Sequence, residues 1–217
     1  MLHLIQALHM KKNLLSLFFI LIVHTSSFSQ EGLLQFTKSY FRSDPFIGEF
    51  SSFLKHLMND PLLKDKKTWT RTDTSLFYFS GVFNNYNPFF FKPKRVEVVL
   101  VEAPVQYSES MPADTILVYQ LLAYAEGSHK GEQEVKKEFE KIHRQFNKKF
   151  YDSNFQELLI GSEIKGGVHN YFIGSTTIAP ISVAWGKLKE NEFVLNLMLR
   201  IKTKENIAVL PATLYNP

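Results

Sequence analysis

The sequence predicts an α+β fold in which a curved, mainly antiparallel sheet packs against two main helices. Apolar side chains recur at helical spacing in two segments, 44–58 and 132–150, whereas β-branched and aromatic residues dominate the segments between and after them. Strands therefore follow one another with too few helices to form a crossover between each pair. This order favours antiparallel pairing and the α+β class.

Residues 1–29 are predicted to be a secretory signal peptide. Lys11 and Lys12 precede the apolar run 14–23, which is too short to span a bilayer, and small serines lie just before Gln30, where we expect cleavage. An uncleaved N-terminal anchor is the alternative. On the first interpretation the protein is exported, periplasmic or secreted, and has no stable membrane insertion after cleavage.

We expect translation to start at Met10 and residues 30–217 to form a single α+β domain, because a chain of this length buries a substantial core. The formal net charge is only +4, and the lysines of 132–149 are interleaved with glutamates, so no nucleic-acid interface is predicted. The chain has no cysteine, which excludes a disulfide scaffold and a thiol nucleophile.

The first main helix is predicted to begin at Asp44, which can cap it, with Pro45 in its first turn. Residues 59–61 (Asn-Asp-Pro) should end it. A shorter apolar pattern in residues 33–41 predicts a preceding helix on the same core. The apolar face of the main helix comprises Phe46, Ile47, Phe50, Phe53, Leu54, Leu57 and Met58.

Three strands are predicted between the main helices. Residues 70–79 are rich in β-branched and aromatic side chains and end at Ser80-Gly81, and residues 95–102 are also strongly β-prone. Residues 115–125 are almost continuously apolar, which predicts a central strand that is buried on both faces.

The second main helix is predicted over 132–150, and residues 151–154 should end it. Lys165-Gly166-Gly167 is expected to form a turn, followed by a hairpin that pairs 181–185 with 193–201. The apolar stripe of this helix comprises Val135, Phe139, Ile142, Phe146 and Phe150. Each half thus places an aromatic-rich helix before its strands, as expected either of a diverged αβββ duplication or of chance similarity.

The sequence contains no known catalytic or cofactor-binding motif. It lacks G-x-S-x-G, a phosphate-binding glycine loop and H-E-x-x-H, so neither a cofactor nor a metal site is predicted. A hydrolase site could still be assembled from distant polar residues, of which Arg71, Asp73, His129 and His169 are the candidates. Arg71 and Asp73 share one face of a predicted strand, where they would bind a polar ligand or form a solvated edge.

The most unusual segment is 84–93, which combines asparagines, a tyrosine and three consecutive phenylalanines between two prolines. Amides and flat rings suit a sugar- or peptide-binding loop, but a loop that plugs the core with its phenylalanines would have the same sequence. The candidate ligand-binding residues here are Asn84, Asn85, Tyr86, Asn87, Phe89, Phe90 and Phe91.

These observations predict an exported soluble protein of the cell envelope that is a non-catalytic binding or interaction module. Its ligand would be a small apolar molecule, a glycan or a protein. The alternative function is an exported hydrolase with the dispersed polar site described above.

Overall fold

The computed structural model describes most of the chain after the predicted signal peptide. Arg71 and Asp73 lie outside the described residues, as do the predicted signal peptide and its cleavage site. The described residues are 31–46, 49–70, 77–105, 114–160, 163–173, 178–188, 192–202 and 207–208.

Within these described residues, three helices lie on one face of an antiparallel sheet. Helix α1 covers residues 31–40, α2 spans Phe50–Met58, and α3 spans His129–Phe146 and continues as a short 3-10 helix, Asn147–Lys149. The preceding helix expected from residues 33–41 is thus confirmed as α1. Helix α3 begins at an N-cap serine, Ser128, whose hydroxyl accepts a hydrogen bond from the Gly131 amide.

The sheet contains eight strands in one continuous order, with a two-residue ninth strand paired to the eighth. The order is β1-β2-β3-β4-β8-β7-β6-β5, and every neighbouring pair is antiparallel, which confirms the α+β class. The strands are β1 Leu63–Thr70, β2 Phe77–Phe83, β3 Arg95–Val105, β4 Asp114–Glu126, β5 Asp152–Ile160, β6 Glu163–Phe172, β7 Ile181–Leu188, β8 Glu192–Lys202 and β9 Ile207–Ala208.

The core lies between the helices and the inner face of this sheet. On β8 the predicted alternation is confirmed, because every second residue from Phe193 to Ile201 is buried. The prediction that β4 is buried on both faces is wrong for the middle of the strand. Tyr119 and Leu121 face the core, whereas Gln120 is only half-buried, because the helices cover one face of the sheet.

The first half of the chain differs from the prediction in two places. Asp44 does not cap α2: its carboxylate accepts the Phe46 amide at 2.9 Å in a turn, and the helix begins at Phe50. The single strand predicted over 70–79 is also wrong. Thr70 ends β1 and pairs antiparallel with Phe77 at the start of β2, and residues 71–76 lie outside the described residues.

The second half contains a strand that the sequence analysis missed. Residues 152–154 begin β5, and the expected turn at Gly166-Gly167 lies inside β6. A Cβ on Gly167 would lie 2.7 Å from the Phe155 ring and 3.0 Å from the Trp185 indole nitrogen. At Gly166 a Cβ would collide with the backbone carbonyl oxygen of Trp185, so glycine is favoured in this strand by close packing rather than by a turn.

Candidate functional site

The loop that connects β2 to β3 carries most of the predicted site residues, and it is fixed at its base by contacts with α1. We refer to residues 84–93 as the 84–93 loop. The Tyr86 hydroxyl donates to the Tyr40 carbonyl at 2.6 Å, and the Arg42 guanidinium lies 5.5 Å from the centre of the Tyr86 ring. Burial raises the pKa of Tyr86 to about 12, so its hydroxyl stays protonated as a donor.

Two of the three consecutive phenylalanines plug the core. Phe89 and Phe91 are buried, and their ring centroids are 5.8 Å apart. Phe89 also stacks on Tyr40, with centroids 5.9 Å apart and an interplanar angle of 24°. The Asn87 amide closes the turn around them, since its oxygen accepts the Phe89 N–H at 2.9 Å and its nitrogen donates to the Phe91 carbonyl at 2.8 Å.

Phe90 points the other way and is 84% exposed. Its backbone N–H donates to the Glu138 carboxylate of α3 at 3.1 Å, although the two residues are 48 positions apart. The Lys141 ammonium donates to the other oxygen of Glu138 at 3.1 Å and lies 3.0 Å from the Phe90 ring centroid. The loop is therefore anchored on both sides of Phe90 and presents a single ring to solvent.

The remaining predicted loop residues are polar and exposed. Asn84 and Asn85 are both exposed, and Asn85 adopts a positive φ of 59°, a left-handed conformation that asparagine tolerates better than most residues. The backbone N–H of Asn84 donates to the Leu62 carbonyl at 2.7 Å. This bond fixes the start of the loop to the chain that precedes β1.

We expect Glu138→Ala to loosen the 84–93 loop, because it removes the acceptor of the Phe90 amide and the buried partner of Lys141. A hydrogen bond to a charged group contributes about 1.5–3 kcal/mol, so exchange of the Phe90 amide hydrogen should accelerate at least about tenfold. Amide exchange measured by NMR checks this expectation. Glu140→Ala, an exposed site on the same helix, is the control, and an unchanged rate in Glu138→Ala would show that the carboxylate does not hold the loop.

The histidines proposed for a hydrolase are not brought together. His129 is exposed at the start of α3, whereas His169 on β6 is buried and stacks on His143, with centroids 3.8 Å apart. Positions 129 and 143 are separated by about 20 Å along the helix axis. His129 and His169 therefore do not share a hydrogen-bond network, and the other two candidates, Arg71 and Asp73, lie outside the described residues.

His169 belongs to an aromatic cluster between α3 and β6. Its ring stacks on Phe139, with centroids 4.7 Å apart and an interplanar angle of 20°, and the Phe155 ring lies 4.9 Å away. The neighbouring His143 Nδ1 is within 3.3 Å of the Tyr171 hydroxyl. Burial, with a smaller effect of His143, lowers the pKa of His169 to about 4, so the ring is neutral at pH 7.

Sequence reasoning found the 84–93 loop but missed the two helical residues that hold it. Because their neighbours in the sequence are charged, Glu138 and Lys141 have the pattern of a solvated helix face with mixed charge.

Within the described residues, no group of three or more His, Asp or Glu side chains could hold a metal ion. None of the helices described here has the length and apolar character required to cross a membrane.

Comparison of the chain with protein-family models, curated proteins and solved structures finds no match.

Proposed function

We propose that this protein is a non-catalytic interaction module that acts in the cell envelope after export, and that the 84–93 loop binds a protein partner through Phe90. One observation carries the proposal: a phenylalanine that is 84% exposed sits on a loop whose neighbours are buried and hydrogen-bonded. Aromatic side chains, phenylalanine among them, are enriched in protein interfaces relative to the rest of the surface.

A protein is the partner that fits this geometry best among the three ligand classes considered. Phe90 projects from the surface, and a small apolar ligand would instead need a concave, largely enclosed site. Two ammonium groups lie close to the loop, that of Lys141, which is paired with the buried Glu138, and that of the exposed Lys92. The complementary surface is therefore an apolar pocket with an acidic rim.

The fixed position of Phe90 favours affinity, because little conformational freedom remains to be lost on binding. The Phe90 amide is already bonded to Glu138, and the flanking Phe89 and Phe91 are already packed. A loop that served only to fill the core would gain nothing from an outward phenylalanine.

We further propose that the fold is a diverged duplication. Each half places a helix directly before a four-stranded meander: α2 precedes β1–β4, and α3 precedes β5–β8, while α1 is an additional helix of the first half. The halves meet where β4 pairs antiparallel with β8, an arrangement that an approximate two-fold axis would generate. The repeating unit would thus be αββββ, one strand longer than the unit expected from sequence.

Site-specific photo-crosslinking in the native cells tests the proposed function. Benzoylphenylalanine in place of Phe90 preserves the aromatic ring, and we expect irradiation to give one discrete protein adduct. Matched exposed positions are Tyr151 and Leu188, where the same label should not give that adduct. Absence of a protein adduct at position 90, or the same adducts at all three positions, would contradict the proposal.

A further inference from the structure

A groove on the opposite face of the sheet forms a second site, which is independent of the 84–93 loop. It lies across β1, β2 and β3, and its volume is about 240 Å³. Tyr78, Ser80 and Val82 alternate with the buried Phe79 and Phe83 on β2, so they point away from the helices. The groove is lined by Asp65, Lys67, Tyr78, Ser80, Gly81, Val82 and Glu97.

A β-bulge shapes one side of this groove. The pairing of β1 with β2 shifts between Lys64 and Lys67, and Asp65 within the bulge has a φ of 50°. Bulges redirect side chains, and a left-handed aspartate is a conformation that costs free energy unless the surrounding structure holds it. Here the bulge places a carboxylate in the groove opposite the side chains of β2.

Aromatic rings form a second side. Tyr78 stacks on Trp69, with ring centroids 4.7 Å apart and an interplanar angle of 23°. Trp69 pairs with Tyr78 across β1 and β2 and is 49% exposed, so the aromatic surface continues beyond the groove. Stacked exposed rings offer a flat apolar surface to a ligand.

Glu97 forms the floor at β3 and is held in a fixed orientation. One oxygen accepts from Arg95 Nε at 2.8 Å and the other accepts from the Tyr124 hydroxyl at 2.9 Å. The Arg95 guanidinium lies 3.6 Å from the centre of the Tyr124 ring and is also paired with Glu192. The Glu97 carboxylate is therefore a preorganised acceptor.

We infer that this groove binds a neutral, hydroxyl-rich ring, that is, one unit of a saccharide, with the adjacent unit stacking on Trp69. A sugar ring has an apolar face for Tyr78 and hydroxyls at its edge that donate and accept at once. Asp65 and Glu97 would accept from these hydroxyls, and Lys67 and Ser80 would donate to them. The groove is smaller than the pockets of drug-sized ligands, which are about 300–1,000 Å³, as a single ring requires.

Other ligand classes fit the groove less well. An anion would face the carboxylates of both Asp65 and Glu97. A cation would face the ammonium of Lys67, and the Glu97 carboxylate is already paired with Arg95. The two carboxylates belong to no cluster of three metal-ligating side chains in the described part of the chain. A neutral ligand with many hydroxyls satisfies all four polar side chains together.

A glycan array followed by titration calorimetry tests this inference. The array should carry neutral oligosaccharides beside sialylated, sulfated and phosphorylated ones, and we expect the wild-type protein to bind neutral members. Tyr78→Ala should weaken binding of the best neutral glycan at least about tenfold, whereas Tyr78→Phe should keep most of the affinity. Lys67→Ala, at an exposed position of the edge strand, gives a second variant that should fold normally and bind more weakly.

The control variant is Lys137→Ala on the exposed side of α3, which should bind the glycan as the wild type does. Circular dichroism melts establish that each variant is folded. The inference is overturned if no glycan binds, if only anionic glycans bind, or if folded Tyr78→Ala and Lys67→Ala retain wild-type affinity. None of these results bears on the partner of Phe90.

Discussion

Phe36→Ala is expected to lower the free energy of unfolding by about 3–5 kcal/mol, the range found when a buried aromatic side chain is truncated. Phe36 is fully buried on α1 and packs edge-on against Phe146 of α3, with ring centroids 5.2 Å apart. It also contacts Tyr40 and Phe41, with centroids 5.3 and 6.3 Å away. The cavity left by the ring would therefore weaken the attachment of α1 to the rest of the core.

This substitution should also affect the 84–93 loop, because α1 supplies Tyr40 as the support for Phe89 and Tyr86. Denaturant unfolding followed by circular dichroism measures the loss of stability. Leu34→Ala, on the exposed side of the same helix, is the matched control and should change stability by less than about 1 kcal/mol. Equal effects of the two substitutions would show that α1 does not dock through Phe36.

Acid is expected to destabilise the protein through His169, with most of the effect between pH 6.5 and pH 4. The pKa of this ring is about 4 in the folded protein, against the ordinary value of 6.5 that applies to the unfolded chain. The unfolded chain therefore binds the proton more tightly, so the stabilisation is complete above pH 6.5 and is lost as the pH falls towards 4. A pKa that falls from 6.5 to about 4 corresponds to an upper limit of about 3.4 kcal/mol.

The pKa of His169 is low because its side chain packs against α3, where Phe139 and Phe155 exclude water. A positive charge on His143 would also oppose a second charge on His169. We expect His169→Phe to flatten the dependence of unfolding free energy on pH in this window. Leu34→Ala, which truncates an exposed side chain that does not titrate, should leave that dependence unchanged. Ion-paired carboxylates such as Glu192, whose pKa Arg95 lowers, stabilise the folded protein above about pH 4.5. They lose this stabilisation only as the pH falls below that value, so they add little to the pH dependence in most of this window. An equally steep dependence in His169→Phe would rule out this assignment.

The elements that the sequence predicted correctly are those whose periodicity is reinforced by one-sided burial. The stripe from Val135 to Phe146 on α3 and the alternation from Phe193 to Ile201 on β8 each face the same core. The errors occur where the same short sequence is compatible with two different local structures. Asp44 can cap a helix or a turn, and Gly166-Gly167 can form a turn or accommodate neighbouring side chains within a strand.

The candidate site could be predicted only in part for a related reason. The composition of the 84–93 loop is unusual enough to draw attention, yet composition does not distinguish the buried Phe89 and Phe91 from the exposed Phe90. That distinction depends on Glu138, which is distant in sequence and has no local pattern that marks it as buried. The groove beside Tyr78 likewise depends on strand pairing and on a bulge at Asp65.

The most direct test of Phe90 as an interface anchor is the affinity of the photo-crosslinked partner for matched variants. We expect Phe90→Ala to weaken binding by at least 2 kcal/mol, or about 30-fold, while leaving the melting temperature unchanged. Leu188→Ala, another exposed apolar position, should bind as the wild type does. If folded Phe90→Ala binds the partner within twofold of the wild type, Phe90 is not the anchor and the proposed interaction site is wrong.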